Sequence, residues 1–516
     1  MRKILKTDTN IQRDSHANVF MIAVILWVAV FIGFLIFYAV VHPLYIFDTD
    51  DWTYIVPQRR AIPVWKGWNP TKVLPETFMA LVAELGVRFF MPLNGDYIGS
   101  MAIAFALVLS AFYSTYFVLF YYLSTKKFGL SPYWSLMSGI FMILVHFLPF
   151  IPLRHLAAST GNAYMYAAPD ITSVFNYTIP ALLHASLILL FSSRDYIEKT
   201  NVGQILGKPK LRHGILLLVL YLAINSNMFQ NIMLIAYISS VLLVEYIKGG
   251  VKAFFDVCRK NVMWIGVIIV WLLSLLMESQ GGRAGRAPSG NYLSAVGETV
   301  KEAVNAVRGL NLLFVFMFAA IEGFALIIFL YSRKERTDID KEYARLTIVY
   351  SISLLITLVY LVLVCAKVGT GYFSRSDVFS GILFFAMVLV WISLIYITKK
   401  SKAVMLLMPI VIYVLLFETV FNGASYRETN YPNHRAAVVE QIDNDILEQV
   451  LLADSEGKTA MELYVPVYDS HDNFPIASTY GGDRISFTLF SYGLISKRIE
   501  ITIIPIYEMN EKYNLQ

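Results

Sequence analysis

The sequence predicts a polytopic α-helical membrane protein with about 11 transmembrane helices and a small external α/β domain at its C-terminal end. Two observations predict this class. Of the 516 residues, 57% are hydrophobic and only 15% are charged, whereas soluble domains carry about 25% charged residues. The hydrophobic residues also lie in long runs, and a membrane-spanning helix needs about 20 of them in succession. A soluble enzyme and a disordered chain are therefore excluded.

Ten apolar runs predict spanning helices. They cover residues 19–41, 97–123, 133–150, 171–191, 229–247, 262–277, 310–331, 346–365, 378–398 and 403–421. An eleventh run, residues 214–224, is short for a span and ends in Asn225-Ser226-Asn227. We interpret it as a short helix that reaches the surface before the chain turns and returns into the membrane; a re-entrant segment is the alternative.

The positions of lysine and arginine predict the orientation, because short cytoplasmic loops are enriched in both. Of the 42 lysines and arginines, 23 lie in six connections: the N-terminal segment and residues 126–127, 194–212, 248–260, 333–345 and 399–402. With eleven spans all six lie on one side, so we expect a cytoplasmic N-terminus and an extracytoplasmic C-terminus. The first run lacks a small-residue cleavage site and is expected to be an anchor. The basic loops and the lack of external disulfides favour a bacterial plasma membrane.

The composition divides the chain into two predicted domains. Residues 1–421 form a transmembrane domain with external loops at 42–95, 151–170, 278–309 and 367–377, and residues 422–516 form the external α/β domain. In the second domain we expect an amphipathic helix at 435–452, an extended run at 461–467, a helix at 483–492 and a strand at 499–504 that Pro505 stops.

A dense group of acids follows the first span directly. Asp48, Asp50 and Asp51 lie within four residues, just before Trp52. Like charges this close raise one another's pKa, and partial burial raises it further. Such a group suits a general base or a metal ligand, and we expect Asp50 or Asp51 to be the base. A solvated collar that ends the first helix is the structural alternative.

The rest of the first external loop has the side chains of a sugar-binding surface. Arg59, Trp68, Asn69 and Glu76 precede an amphipathic helix predicted at residues 77–90, which would lie in the membrane interface. Aromatic faces stack on sugar rings, and carboxylates and amides bind hydroxyl groups. A helix that serves only as an interfacial anchor is the alternative.

The second external loop and the start of the fourth span add Asp170, Asn176 and Tyr177 to these candidates. Asn176 lies near the membrane surface, where an amide must find hydrogen-bond partners. Contacts with a sugar or an acceptor would supply them. Ordinary helix packing is the alternative.

Four arginines on the same side are candidates for binding phosphate, since a guanidinium binds phosphate through two parallel hydrogen bonds. Arg283 and Arg286 lie in the glycine-rich stretch 280–286, Arg375 directly precedes a span, and Arg154 lies in the second loop. The alternatives are a disordered basic loop and an arginine that snorkels to the interface. The chain has no nucleotide-binding fingerprint.

Nothing in the sequence requires a metal or another cofactor. Cys258 and Cys365 are read as small core residues, because two cysteines in or beside apolar runs make neither a disulfide framework nor a zinc site. The three carboxylates of the first loop could hold a divalent cation. A net charge of +5, from 42 basic and 37 acidic residues, is too balanced for a protein that binds nucleic acid.

Asp50-Asp51-Trp52, with Arg59, Asn69 and Leu74-Pro75-Glu76 after it, resembles the first external loop of the GT-C class of membrane glycosyltransferases. Within that class the chain looks most like bacterial O-antigen or cell-wall glucosyltransferases that use polyprenyl-phosphate sugars. The stretch from Asn176-Tyr177 to Pro180 is similar to one in the fourth span of those proteins. The resemblance extends to the plan of spans and an external C-terminal domain.

The resemblance implies an inverting hexosyltransferase that modifies a cell-surface polysaccharide. Asp50 or Asp51 would take the proton of an acceptor hydroxyl, which attacks the anomeric carbon of a sugar on a polyprenyl-phosphate carrier, while basic residues stabilise the departing lipid phosphate. Its partners would be this lipid donor, a cell-surface glycan acceptor and membrane lipid. The residues expected to contact sugar or acceptor are Asp48, Trp52, Arg59, Trp68, Asn69, Glu76, Asp170, Asn176 and Tyr177.

Three other functions compete with this one. A polysaccharide polymerase or ligase also uses external arginine-rich loops. A transporter of lipid-linked glycans would need a charged path through the bilayer, whereas the polar residues of this sequence gather at one surface. A non-catalytic scaffold would not need acids, arginines and tryptophans in the same loops.

Overall fold

The computed structural model describes residues 2–57, 60–62, 68–150, 165–166, 168, 170–199, 211–250, 254–281, 291–419, 434–467, 474–476 and 480–515. Most of them are helical. In this part of the chain, eight helices are long and apolar enough to cross a membrane: 18–41, 97–126, 171–194, 232–249, 262–279, 312–334, 338–368 and 376–400. They fit a polytopic helical membrane protein, the class that the composition predicts.

The α-helices before residue 420 are numbered in chain order. The first nine are α1 (Arg2–Ile36), α2 (Thr49–Tyr54), α3 (Val73–Leu85), α4 (Met91–Asn94), α5 (Tyr97–Lys126), α6 (Pro132–Phe147), α7 (Ile171–Ser173), α8 (Ile179–Arg194) and α9 (Tyr196–Lys199). The next nine are α10 (Leu211–Ile224), α11 (Ile232–Gly249), α12 (Phe254–Lys260), α13 (Val262–Ser279), α14 (Tyr292–Arg308), α15 (Leu312–Tyr331), α16 (Asp338–Val368), α17 (Ser376–Lys400) and α18 (Lys402–Phe417).

Three shorter apolar helices lie where the sequence predicts the remaining spans. They are α6, α10 and the segment 407–417 of α18. At about 1.5 Å per residue the 16 residues of α6 reach about 24 Å, less than the roughly 30 Å of a bilayer's hydrocarbon core. Helices at these places are therefore observed, and their crossing of the membrane stays a prediction.

The helix predicted at residues 77–90 begins and ends elsewhere. It starts as α3 at Val73, so Pro75 lies inside its first turn, where a missing N–H costs no hydrogen bond. A π-helical turn, Gly86–Phe90, leads into α4, and the helix stops at Gly95, whose φ of 73° is left-handed. The loop predicted at 278–309 is also different, because it contains the 17-residue helix α14.

The C-terminal elements are three helices and two strands: α19 (Ala436–Ser455), β1 (Ala460–Pro466), α20 (Gly481–Ser491), β2 (Glu500–Ile506) and α21 (Tyr507–Tyr513). The strands are parallel, with Ala460 opposite Glu500. The prediction that Pro505 stops the second strand is wrong, since β2 continues through it to Ile506. A proline is tolerated in an edge strand, and both strands of a two-stranded sheet are edges.

The C-terminal elements pack directly on α2, the helix that carries the acids of the first loop. The Thr488 hydroxyl of α20 donates a hydrogen bond to the Trp52 carbonyl (2.7 Å), and the Tyr492 hydroxyl donates to the Ile55 carbonyl. Phe47, just before α2, stacks on Phe474 with ring centroids 4.7 Å apart. The helix α2 is therefore in contact with a part of the chain that lies 436 residues further along the sequence.

Candidate active site

Asp48 ends the extended segment before α2 and caps that helix. Its Oδ1 accepts hydrogen bonds from the N–H groups of Asp50 (2.8 Å) and Asp51 (3.1 Å). The first N–H groups of a helix lack intrahelical partners, so a capping carboxylate stabilises the helix by about 1 kcal/mol. The first acid of the cluster therefore orients the next two.

Asp51 is completely enclosed and holds two distant segments together. Its Oδ2 accepts from the Phe47 N–H (2.9 Å), while its Oδ1 accepts from both the N–H and the hydroxyl of Thr172 (each 2.7 Å). Thr172 belongs to α7, at the start of the fourth predicted span. Both oxygens of Asp51 thus fasten α2 to that span.

Asp50 differs from its neighbour because its side chain is exposed. Successive residues of an α-helix project about 100° apart, so Asp50 and Asp51 cannot face the same surroundings. Of the two candidate bases, Asp50 can meet a molecule that approaches from outside without any rearrangement. Asp51 would have to give up hydrogen bonds first.

Asp170, which is half-buried, adds a third acid as the cap of α7. Its Oδ1 accepts from the Ser173 N–H (2.5 Å) and its Oδ2 from the Ser173 hydroxyl (2.9 Å). Burial, followed by the charge of Asp51, raises the pKa of Asp170 to about 8 and that of Asp48 to about 9. Burial also raises the pKa of Asp51, to about 6, against the opposing effect of the Thr172 hydrogen bonds.

A fourth acid, Asp443, comes from α19. It is 3% exposed, and its Oδ2 has no hydrogen-bond partner among the described residues. Burial, and then the nearby charges of Asp51 and Glu440, raise its pKa well above the usual value. We call Asp48, Asp51, Asp170 and Asp443 the carboxylate cluster.

Asp443 is not among the residues predicted from the sequence, although the pattern of α19 carries a signal for it. In α19 the buried residues Val439, Ile442, Ile446 and Val450 recur at helical spacing, and Asp443 lies on the same face. An acid within an apolar stripe is rarely buried without a reason. What that face packs against is visible only in the structure.

Asn176 lies in a π-helical turn, Val174–Thr178, a feature frequent at functional sites. Its Nδ2 donates to the Thr172 carbonyl (2.7 Å), and its Oδ1 accepts from the ammonium of Lys72 (2.5 Å). Lys72 is buried and is not among the residues predicted from the sequence. Hydrogen bonds thus run from Asp51 through Thr172 and Asn176 to a buried cation.

Tyr177 and Arg375, predicted separately, come together in the structure. The Arg375 guanidinium lies 4.9 Å from the ring centroid of Tyr177 and 5.3 Å from that of Tyr372. It also donates to both oxygens of Asp377, at 3.0 and 2.5 Å, which holds the pKa of Arg375 above its usual range. With its side chain 37% exposed, it can still reach an anion.

The remaining predicted sugar contacts in the described part are mostly buried. Trp52 and Glu76 are 0% and 1% exposed, and the Trp68 indole N–H donates to the Arg60 carbonyl (3.1 Å). Asn69 lies against the chain after α13, where a Cβ added at Gly281 would come within 2.8 Å of its Oδ1. Their role as sugar contacts stays a prediction.

Four predicted residues lie outside the described part of the chain: Arg59, Arg154, Arg283 and Arg286. Within that part, no group of three or more His, Cys, Asp or Glu residues is placed to hold a metal ion. The hydrogen bonds of the carboxylate cluster give a physical reason, because Asp48, Asp51 and Asp170 direct their oxygens at N–H and hydroxyl donors.

Comparison of the chain with known protein families, with curated proteins and with solved structures finds no significant match.

Proposed function

We propose that this protein is an inverting glycosyltransferase that moves a hexose from a polyprenyl-phosphate carrier to a cell-surface glycan. The observation that carries the proposal is that acids and cations lie around the same end of the helices. They are the exposed acid Asp50, the buried acids, the Lys72–Asn176 pair and the Arg375–Tyr177 pair. A proton acceptor and cations in one region are what transfer from a phosphate leaving group needs.

The proposal includes the finer topology. Eleven crossings, with α6, α10 and α18 as the three short ones, put the basic connections in the cytoplasm. The carboxylate cluster and the C-terminal elements then face outward, in a bacterial plasma membrane. In this arrangement the chain has the plan of the GT-C class that its first loop resembles.

In the proposed reaction Asp50 is the general base. It takes the proton of the acceptor hydroxyl as that oxygen attacks the anomeric carbon. The bond between the anomeric carbon and the phosphate oxygen breaks, and its electron pair leaves with the lipid phosphate. A base in this position contributes typically 10²–10⁴-fold, and Asp51 keeps α2 in place.

As the bond breaks, the phosphodiester of the donor becomes a phosphate monoester and gains one negative charge. Arg375, which lies over the ring of Tyr177, can donate hydrogen bonds to it. Because Asp377 holds the guanidinium from one side, its orientation is fixed before the donor binds. Preorganised donors of this kind lower the barrier without reorganising during the reaction.

Separate substitutions of the two neighbouring aspartates test the proposal. Purified Asp50→Asn protein should transfer hexose from a polyprenyl-phosphate hexose at least about a hundredfold more slowly, with folding unchanged. Asp51→Asn should lower activity together with thermal stability, because an amide cannot accept all three hydrogen bonds without a repulsive contact. The matched control is Glu84→Gln, an acid of α3 that pairs with Arg88 on the surface. Full activity in the Asp50→Asn protein would reject Asp50 as the base.

A further inference from the structure

The helix α14 has three distinct faces. Four aliphatic side chains form an exposed stripe: Leu293, Val300, Val304 and Val307, with exposed fractions of 80%, 46%, 45% and 51%. Their spacings of seven, four and three residues place them on one side of a helix. A stripe of this kind does not stay open to water without cost.

The other two faces have different surroundings. Glu298, Lys301, Asn305 and Arg308 are exposed and form a polar stripe with charges of both signs. On the inner face Thr299 is buried, and Ala303 and Ala306 pack against the core. At its start the helix is fastened by the Tyr292 hydroxyl, which donates to the Leu363 carbonyl of α16 (2.9 Å).

Chain connectivity fixes where this helix lies. It joins α13 and α15, both long and apolar enough to span a membrane. Only three residues separate α14 from α15, and α14 packs on α16 and on the segment Thr370–Ser374, so it lies at the end of the bundle where α15 begins. At the start of α15, Leu312 and Phe316 are also exposed, so exposed apolar side chains continue from α14 onto a helix that is long and apolar enough to span a membrane.

We infer that α14 lies in the lipid–water interface, with its aliphatic stripe in contact with acyl chains and its polar stripe in water. A bilayer surface is the occupant that this face fits, because the stripe is purely aliphatic and continuous with a spanning helix. With one acid and two basic residues the polar stripe has a net charge of only +1, so the contact does not require anionic lipid. This inference needs only a membrane protein and does not depend on glycosyl transfer.

The position of α14 has a consequence for its neighbour. The helix packs along the segment Thr370–Ser374, which leads directly to Arg375. Contact with lipid on one side and with this segment on the other therefore sets the depth of the Arg375 guanidinium relative to the membrane surface. The same end of the helices holds Tyr177 and, through α7, the carboxylate cluster.

Fluorescence quenching by brominated lipid tests the inference. The full chain, with Cys258 and Cys365 changed to Ala, is labelled at one new cysteine and reconstituted in phosphatidylcholine nanodiscs. Labels in Val300→Cys and Val304→Cys should lose at least half of their fluorescence when the lipid carries bromine on its acyl chains. Labels in the matched variants Glu298→Cys and Asn305→Cys, on the polar stripe, should lose little.

Equal quenching on both stripes, or none on the aliphatic stripe, would overturn the inference. If a cysteine variant does not fold, photocrosslinking to lipid tests the same contact on the unaltered chain. A phosphatidylcholine with a photoactivatable group on its acyl chain close to the glycerol, at the depth of an interfacial helix, should then form adducts at Leu293, Val300 or Val304. Their absence from this helix, with adducts present on α15, would equally reject contact with the bilayer.

Discussion

At the scale of single residues, burial separates two acids that are adjacent in the sequence. Asp50 is exposed and Asp51 is enclosed by three hydrogen bonds. A side chain that takes a proton from an acceptor hydroxyl must lie within hydrogen-bonding distance of that hydroxyl, as the exposed Asp50 can. Asp51 already accepts three hydrogen bonds, so it acts mainly by holding α2 in position. The sequence could not rank these two acids, because their neighbours along the chain are nearly the same.

Arg375 gives the residue-scale prediction for the donor. Arg375→Ala should raise the KM for a polyprenyl-phosphate hexose about tenfold, since hydrogen bonds to charged groups contribute about 1.5–3 kcal/mol and 1.4 kcal/mol corresponds to a factor of ten. Steady-state kinetics in nanodiscs measures it. Arg336→Ala is the matched control, because Arg336 also lies over an aromatic ring, Phe329, at 4.6 Å. An unchanged KM for the donor would exclude a phosphate contact.

At the scale of elements, α20 depends on a close approach to β2. A Cβ added at Gly482 would collide with the carbonyl oxygen of Ile501, so only glycine lets this helix lie against the strand. Through Thr488 the same helix bonds to the Trp52 carbonyl of α2. The position of α2 therefore depends on the packing of a helix against a strand near the C-terminus.

The corresponding prediction compares two glycine substitutions. Gly482→Ala should lower the midpoint of thermal unfolding of the purified protein by several degrees, because forcing an extra carbon into a packed contact costs about 1–3 kcal/mol. Gly297→Ala is the matched control. It lies within α14 with open space around it, and alanine favours a helix by about 1 kcal/mol. If Gly482→Ala leaves the midpoint unchanged, the contact with β2 does not hold α20.

What the sequence can predict also depends on the scale of the element. Continuous apolar runs predicted the long helices, because a membrane span has to be apolar along its whole length. The sequence predicts a loop where α14 lies, because the aliphatic residues of this helix recur only on one side. Lys72 and Asp443 were missed for another reason. Their importance comes from partners more than 100 residues away or on another helix, and no local pattern encodes these.

At the scale of the whole molecule, four acids from three separate parts of the chain meet between the helices and the C-terminal elements. Asp48 and Asp51 come from the first loop, Asp170 from the start of the fourth predicted span, and Asp443 from α19. No single segment would bury so many carboxyl groups. Folding brings them together, and the raised pKa values couple that folding to pH.

This coupling gives a prediction with a defined sign. In the unfolded chain the acids lose their protons near pH 4, whereas in the folded protein the pKa values are about 6 for Asp51, about 8 for Asp170 and about 9 for Asp48. Above pH 4 the folded state therefore binds more protons, so the stability due to the cluster is complete below that pH and is lost as the pH rises through 6 to 9. Thermal unfolding in detergent should show a midpoint that falls between pH 5 and pH 9.

Asp443→Asn should make this dependence shallower, because an amide stays neutral, while Asp338→Asn, at a fully exposed position, should leave it unchanged. A midpoint that rises over this range would mean that the acids are ionised in the folded protein, and the C-terminal elements could not then cover them as the structure has it.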